Sequence, residues 1–319
     1  MIDFDWSEEI IRDAVDLTDC IELVVAFSDD DYGGRFTHAD FQNIVQSELL
    51  GDDYSSFFQG EQVDDFSASF EVAVDLIKRR ALWLGAIYPF KEKDGEVWFE
   101  PQTTEKHYLS YLFLLACSCH NRIPSLKHAL RVQFENLCKE AMRALFPDWA
   151  EVFLFSQNSD DRRELGWPAN KAIPALAKKL NAQVEPDAQL PDTQKEYGID
   201  LIAICSFGDE LEYPFFAFAQ CTVAEEWWKK KHEARARQAL SGVVRLNTDH
   251  TNFLLIPHFP RINATEWREG RPHTIDCILC DRYRICRLLE KSNSFTQQNM
   301  PPGISEIVQK IQEHLPKNH

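Results

Sequence analysis

Helical spacing of apolar residues dominates the chain up to about residue 145, and short strand-like runs take over beyond it. Ile10, Ile11, Ala14, Val15 and Leu17 recur at helical intervals behind Asp5, Trp6 and Ser7, which suit a helix start. Residues 66–84 repeat that spacing and end in Lys78, Arg79 and Arg80, and residues 86–101 predict a hairpin around Lys93, Asp94 and Gly95. The run Asp29, Asp30, Asp31 ahead of Gly33 and Gly34 predicts a loop. Residues 108–119 are apolar almost all round and predict a buried helix, while residues 124–145 predict a second helix opened by Pro124 and Ser125. Strands are expected at 151–155, 199–205 and 214–221, the last two joined by the turn Phe207, Gly208, Asp209, Glu210. A charged helix follows at 224–240, then strand regions at 253–256 and 275–286. Residues 156–197 hold a helix at 173–180 and a loop with Pro186 and Pro191, and a short amphipathic helix closes the chain at 305–314. The resulting order is helix, strand, strand, strand, helix, strand, with no internal repeat.

A chain of 319 residues exceeds what one domain commonly uses, which predicts two domains or one core with a large N-terminal addition. The expected division is an acidic N-terminal region at 1–103, an α/β domain at 104–300 and a helical tail at 301–319. Charge sharpens that division: residues 1–100 hold 24 acidic and 7 basic residues and carry the whole net charge of −17, while the remainder holds 27 of each. A polyanion would be repelled by the first third, so a nucleic-acid substrate would need a local basic patch or a partner to help hold it. The acidic region itself suits docking of a basic protein partner. The start MIDFDWSEEI lacks the basic and apolar segments of a secretory leader, and the longest apolar run, 108–119, is too short to span a bilayer. The expectation is a cytoplasmic protein without a membrane partner, its nine cysteines reduced and mostly apolar filler.

Candidate chemistry gathers on the two strong strands. On 214–221 alternate positions share a face, which groups Phe216, Phe218, Gln220 and Thr222. A hairpin turning near Gly208 sets Asp200 across from Gln220, joining a carboxylate to an amide oxygen at one sheet edge. Such oxygens suit a hard divalent cation, Mg²⁺ or Mn²⁺, and Glu135 on the preceding helix could add a third.

The helix Phe134, Glu135, Asn136, Leu137, the strands Gly198, Ile199, Asp200, Leu201 and Phe218, Ala219, Gln220, Cys221, and the lysine-bearing segment after them resemble the PD-(D/E)xK superfamily. The resemblance covers residues 130–290 and is nearest in style to the Mrr-like branch, where Gln replaces the second acid. Gln220, Cys221, Thr222 with Trp227 and Lys230 are also similar to bacterial proteins associated with phage defence. It implies a restriction-endonuclease-like αβββαβ core with a central mixed sheet, beside a mainly helical acidic N-terminal region. It further implies a metal-dependent nuclease acting on DNA, with Asp200, Gln220 and Glu135 as metal ligands and an ATPase or helicase as a conceivable partner. Thr222 stands where the superfamily carries its lysine; Lys229, Lys230 and Lys231 fall about two turns into the next expected helix, and Lys230 is the preferred replacement, narrowly ahead of Lys229.

Plainer roles compete. Asp200 can cap a turn after Gly198, Gln220 can be a buried amide, Glu135 can pair with Lys139, and Glu225 and Glu226 can pair with the lysines. Cys277, Cys280 and Cys286 with His273 lack a second ligand pair for zinc and fit strand alternation better. Trp227 and Trp228 could stack on bases, but one of two adjacent helix aromatics normally faces a core. No Walker loop or nucleophile elbow occurs. A catalytically inactive nuclease fold serving as a protein-binding scaffold is the alternative function.

Overall fold

The computed structural model describes residues 6–27, 34–50, 61–101, 107–156, 159–166, 168–190, 192, 197–209, 214–232, 240–262, 266–267, 277–292, 300–301 and 303–314. The chain divides into two compact units: residues 1–130, 258–269 and 302–319 form the first, and residues 131–257 and 270–301 the second.

In the first unit the predicted opening helix is two helices, α1 (Glu8–Arg12) and α2 (Ala14–Phe27). Asp13 breaks them apart: its carboxylate accepts the N–H groups of Val15 and Asp16 and caps α2. Thr37 opens α3 (His38–Ile44) in a reciprocal capping box with Asp40. Next come α4 (Glu61–Leu84) and α5 (His107–Ser118), with nine consecutive residues of α5 buried from Ser110 onward. The C-terminal helix Ile304–His314 packs on α5 and α2. Burial of α5 among these helices draws it into the first unit, whereas the sequence division grouped it with the second domain. Strands β1 (Arg35–Phe36), β2 (Phe90–Lys93) and β3 (Glu96–Phe99) make a small antiparallel sheet. The predicted hairpin turns at Asp94 and Gly95, both with positive φ (55° and 82°), the geometry that matches strand twist in a two-residue turn.

The second unit is α/β. Helix α6 (Lys127–Leu145), whose first turn lies in the first unit, leads to β4 (Glu151–Leu154), α7 (Asp160–Leu165) and α8 (Ala169–Lys179). Then follow β5 (Gln183–Val184), β6 (Leu201–Cys205), β7 (Phe215–Cys221), β8 (Val244–Arg245), β9 (Thr251–Leu255), β10 (Ile278–Cys280) and α9 (Arg282–Lys291). Five strands form a mixed sheet in the order β10-β9-β7-β6-β4, antiparallel across β4-β6-β7 and parallel across β7-β9-β10. β5 and β8 pair separately.

Strand alternation sorts the side chains of this sheet. Phe153, Ile202, Ile204, Phe216 and Phe218 pack with Ala169, Ala172, Ile173 and Leu176 of α8. The other face meets the end of α6, where Phe146 lies 6.0 Å from Phe215 and 6.4 Å from Phe253 between ring centroids.

Two expected elements change character. The strand expected over 275–286 is strand only at Ile278–Cys280, because Asp281 accepts the Arg284 N–H as an N-cap and starts α9 at Arg282. Cys286 is therefore on a helix, and His273 lies outside the described residues. The helix expected over 224–240 begins as a 3₁₀ segment, Trp227–His232, and residues 233–239 lie outside the described residues. Among the described residues no helix is long and apolar enough to cross a membrane.

Candidate functional site

Asp200 stands at the start of β6 and Gln220 next to the end of β7, so the antiparallel pair brings both to one end of the sheet. The pairing there is irregular. Leu201 opposes Ala219, yet the Asp200 N–H also donates to the Ala219 carbonyl (2.9 Å), while the Asp200 carbonyl accepts from Phe155 N–H on the opposite side (2.7 Å). Two residues opposite one is a β-bulge, a device that re-aims a side chain where a sheet ends. The extra residue shifts the alternation, and Ile199 accordingly joins Ile202 and Ile204 in one apolar cluster. Gln220 follows Phe216 and Phe218 on the face that packs on α8, whereas Asp200 turns toward Cys221 and Cys138 on the α6 side, so the two expected to meet at one sheet edge share a sheet end but not a face. Just upstream, Tyr197 and Gly198 both take left-handed backbone (φ 58° and 69°). For a buried tyrosine that conformation is costly, and such strain clusters at functional sites.

Asp200 Oδ2 accepts the Cys221 N–H at 2.7 Å, replacing the next rung of the ladder. Both Asp200 and Gln220 are buried. The turn-capping role weighed for Asp200 thus becomes a strand-end cap. Glu135 is half-buried on α6, one turn before Cys138. Cys138 and Cys221 are hydrogen-bonded thiol to thiol. Burial pushes both thiols up, that of Cys221 well above its ordinary 9.0, and the charges of Glu135 and Asp200 push them in the same direction. The two carboxylates therefore flank one thiol pair. Sequence reasoning quoted Cys221 only as part of the strand-end motif around Gln220 and passed over Cys138; the available signal was the three-residue spacing of Glu135 and Cys138, which puts them on one helix face.

Lys230 is half-buried in the 3₁₀ segment, and Lys229 is exposed and paired with Glu226. Lys139 pairs with Asp161. Trp227 is buried, with its ring edge-on to that of Trp228. A further buried cation went unnoticed in the sequence: Arg162 on α7, 1% exposed, donates to the Phe155 carbonyl at 2.9 Å and stacks over the Phe155 ring. Its charge reaches Tyr197.

All nine cysteines are thiols. Burial pushes Cys280 and Cys286 up to about 12 from an ordinary 9.0. The folded values exceed the unfolded ones, so this contribution to stability is complete below pH ~9 and is lost as pH rises toward the folded values. Each thiol then removes up to about 4 kcal/mol across that window. Urea midpoints measured from pH 8 to 11 should fall steadily, and less steeply in Cys286→Ala; a level midpoint would contradict this origin.

Among the described residues no group of three or more His, Cys, Asp and Glu side chains is placed to hold a metal ion. No family model, curated protein or solved structure matches the chain.

Proposed function

We infer that the second unit is a nuclease-type domain that hydrolyses phosphodiester bonds in DNA with Mg²⁺ or Mn²⁺. The observation that carries this reading is the β-bulge at Asp200, which leaves a buried carboxylate at the end of an antiparallel strand pair whose other strand ends at Gln220. The order α6, β4, β6, β7, 3₁₀ segment, β9, with a parallel strand after three antiparallel ones, supports a restriction-endonuclease-like core.

Asp200, Gln220 and Glu135 offer oxygens of the type a hard cation takes, and they would hold it. When bound, such an ion polarises the phosphate and lowers the pKa of an attacking water. Asp200 would be held in place by the Cys221 N–H, and Gln220 by its strand. Lys230 would orient water or offset phosphate charge in place of the lysine that Thr222 lacks. Arg162 offers a second, more deeply buried cation at this end of the sheet. An effector role in phage defence or DNA processing, with an ATPase or helicase docked on the acidic N-terminal region, accords with the charge distribution.

A second reading is a catalytically inactive scaffold of the same fold. Thr222 at the lysine position and the pairing of Lys229 with Glu226 favour it. Incubation of the full chain with supercoiled DNA separates the two. Nicking that requires Mg²⁺ or Mn²⁺ and stops on chelation is expected of the nuclease. Intact DNA under both metals, on duplex and single-stranded substrates alike, would leave the scaffold.

A further inference from the structure

The same sheet carries a cavity of about 790 Å³. Its floor is the α6-side face of the strands, where Cys205, Phe215, Thr251 and Phe253 meet. Leu145 and Phe146 at the end of α6 wall one side, with Trp149 beyond them. Apolar groups are left open to solvent here: Phe207 is 72% exposed, Trp149 59% and Phe215 49%. Exposed side chains of this kind, gathered around a concavity of this size, are the usual make-up of a small-molecule site.

The far wall is α9, and its sequence splits into two faces. Ile285, Cys286 and Leu289 are buried in the core. Tyr283, Arg284, Arg287, Leu288 and Lys291, at intervals of one, three and four residues, line the cavity. Arg284 donates to the Leu279 carbonyl and Arg287 pairs with Glu290, which fixes both stems along the rim. Lys291 is exposed at the helix end. None of the described residues lining it is acidic. In a chain of net charge −17, an apolar hollow edged by Arg284, Arg287 and Lys291, with Glu290 on Arg287 as the one carboxylate described beside them, favours an anionic head.

We propose that this cavity binds an amphipathic organic anion, an aliphatic or aromatic body carrying a carboxylate head. The body enters between Phe215, Phe253 and Ile278, and the head meets Arg287 and Lys291 at the rim. Along β6, Cys205 stands about 17 Å from Asp200 at 3.3 Å per residue, while Phe253 and Cys280 reach toward the Asp200 end; none of the lining residues is a proposed metal ligand, so the proposal does not rest on the nuclease reading.

Titration of the full chain with dodecanoate, followed by displacement of anilinonaphthalene sulfonate, tests it. Dodecanoate should bind with an affinity on the order of micromolar and dodecylammonium at least about tenfold more weakly. The double variant Arg287→Glu/Lys291→Glu should lose about tenfold or more for dodecanoate while binding dodecanol as before. Ile278→Trp should exclude both amphiphiles, and Asp200→Asn should leave both unchanged. Near-UV circular dichroism guards against loss of fold, since Arg287 and Lys291 lie at the surface. Equal binding of dodecanoate and dodecylammonium overturns the proposal. So does preferential competition by single-stranded DNA, which would make the hollow a base-stacking groove, or a dimer in sedimentation that buries it.

Discussion

Replacing Arg80 by Met should cost the first unit about 3–5 kcal/mol, the largest single-residue stability loss expected in this chain. The Arg80 guanidinium is 1% exposed and donates from Nη1 to Asp19 (2.6 Å) and Glu22 (2.8 Å) while lying 4.5 Å over the Phe259 ring. Glu22, fully buried, also accepts from Tyr88 (2.5 Å) and Tyr111 (2.6 Å), and Ser118 donates to Asp19 (3.1 Å). Burial alone would lower Arg80, but Glu22 and Asp19 outweigh it and hold the guanidinium charged; burial and then the Glu22 charge push the Tyr88 phenol up. Methionine fills much of the volume but leaves two carboxylates without their cation. Because domains carry only about 5–15 kcal/mol of stability, the unfolding midpoint should drop by roughly 10 °C. The two carboxylates are then buried with no cation between them, and that uncompensated charge is the source of the loss. Arg80→Met/Glu22→Gln should be less destabilised than the two single changes combined. Urea unfolding of all four proteins at pH 7 decides it; additive losses would show that the groups are not coupled.

That network marks where sequence reading stops. Arg79 and Arg80 closed a helical pattern and looked alike, yet Arg79 pairs with Asp75 at the surface and Arg80 is buried. Period locates a helix face but does not say which charged residue turns inward to meet Asp19 and Glu22, 61 and 58 positions earlier. Where local rules suffice, the reading was close: the Asp94–Gly95 hairpin, the apolar helix α5 and the β6–β7 pair all emerge near their expected positions. The β-bulge was invisible because it depends on pairing with Phe155 and Ala219, not on the residue types at 199–201. Asp281 was read inside a strand although it precedes a helical run; its capping role outweighs the β-propensity of Ile278, Leu279 and Cys280 once Arg282 begins a buried turn.

Substitution of Asp200 should separate chemistry from architecture more sharply than any other change in the second unit. Asp200→Asn retains an oxygen that can accept the Cys221 N–H, so the sheet end and the bulge should survive with the unfolding midpoint little altered. What it loses is the negative charge that a divalent cation needs. Metal-dependent DNA cleavage should therefore fall by about a hundredfold or more, matching the several kcal/mol that metal-borne charge stabilisation contributes. Asp200→Ala removes the acceptor as well. Its activity loss should be as large, and the stranded Cys221 N–H should add about 1–3 kcal/mol of destabilisation. Gln220→Glu makes the opposite change at the adjoining position, adding the acid that PD-(D/E)xK proteins usually carry there, and should raise metal affinity measured by calorimetry. If Asp200 serves only as a strand-end cap, the order reverses: Asn and parent would cleave and bind metal alike, Ala alone would suffer, and its deficit would appear in the unfolding curve instead of the rate.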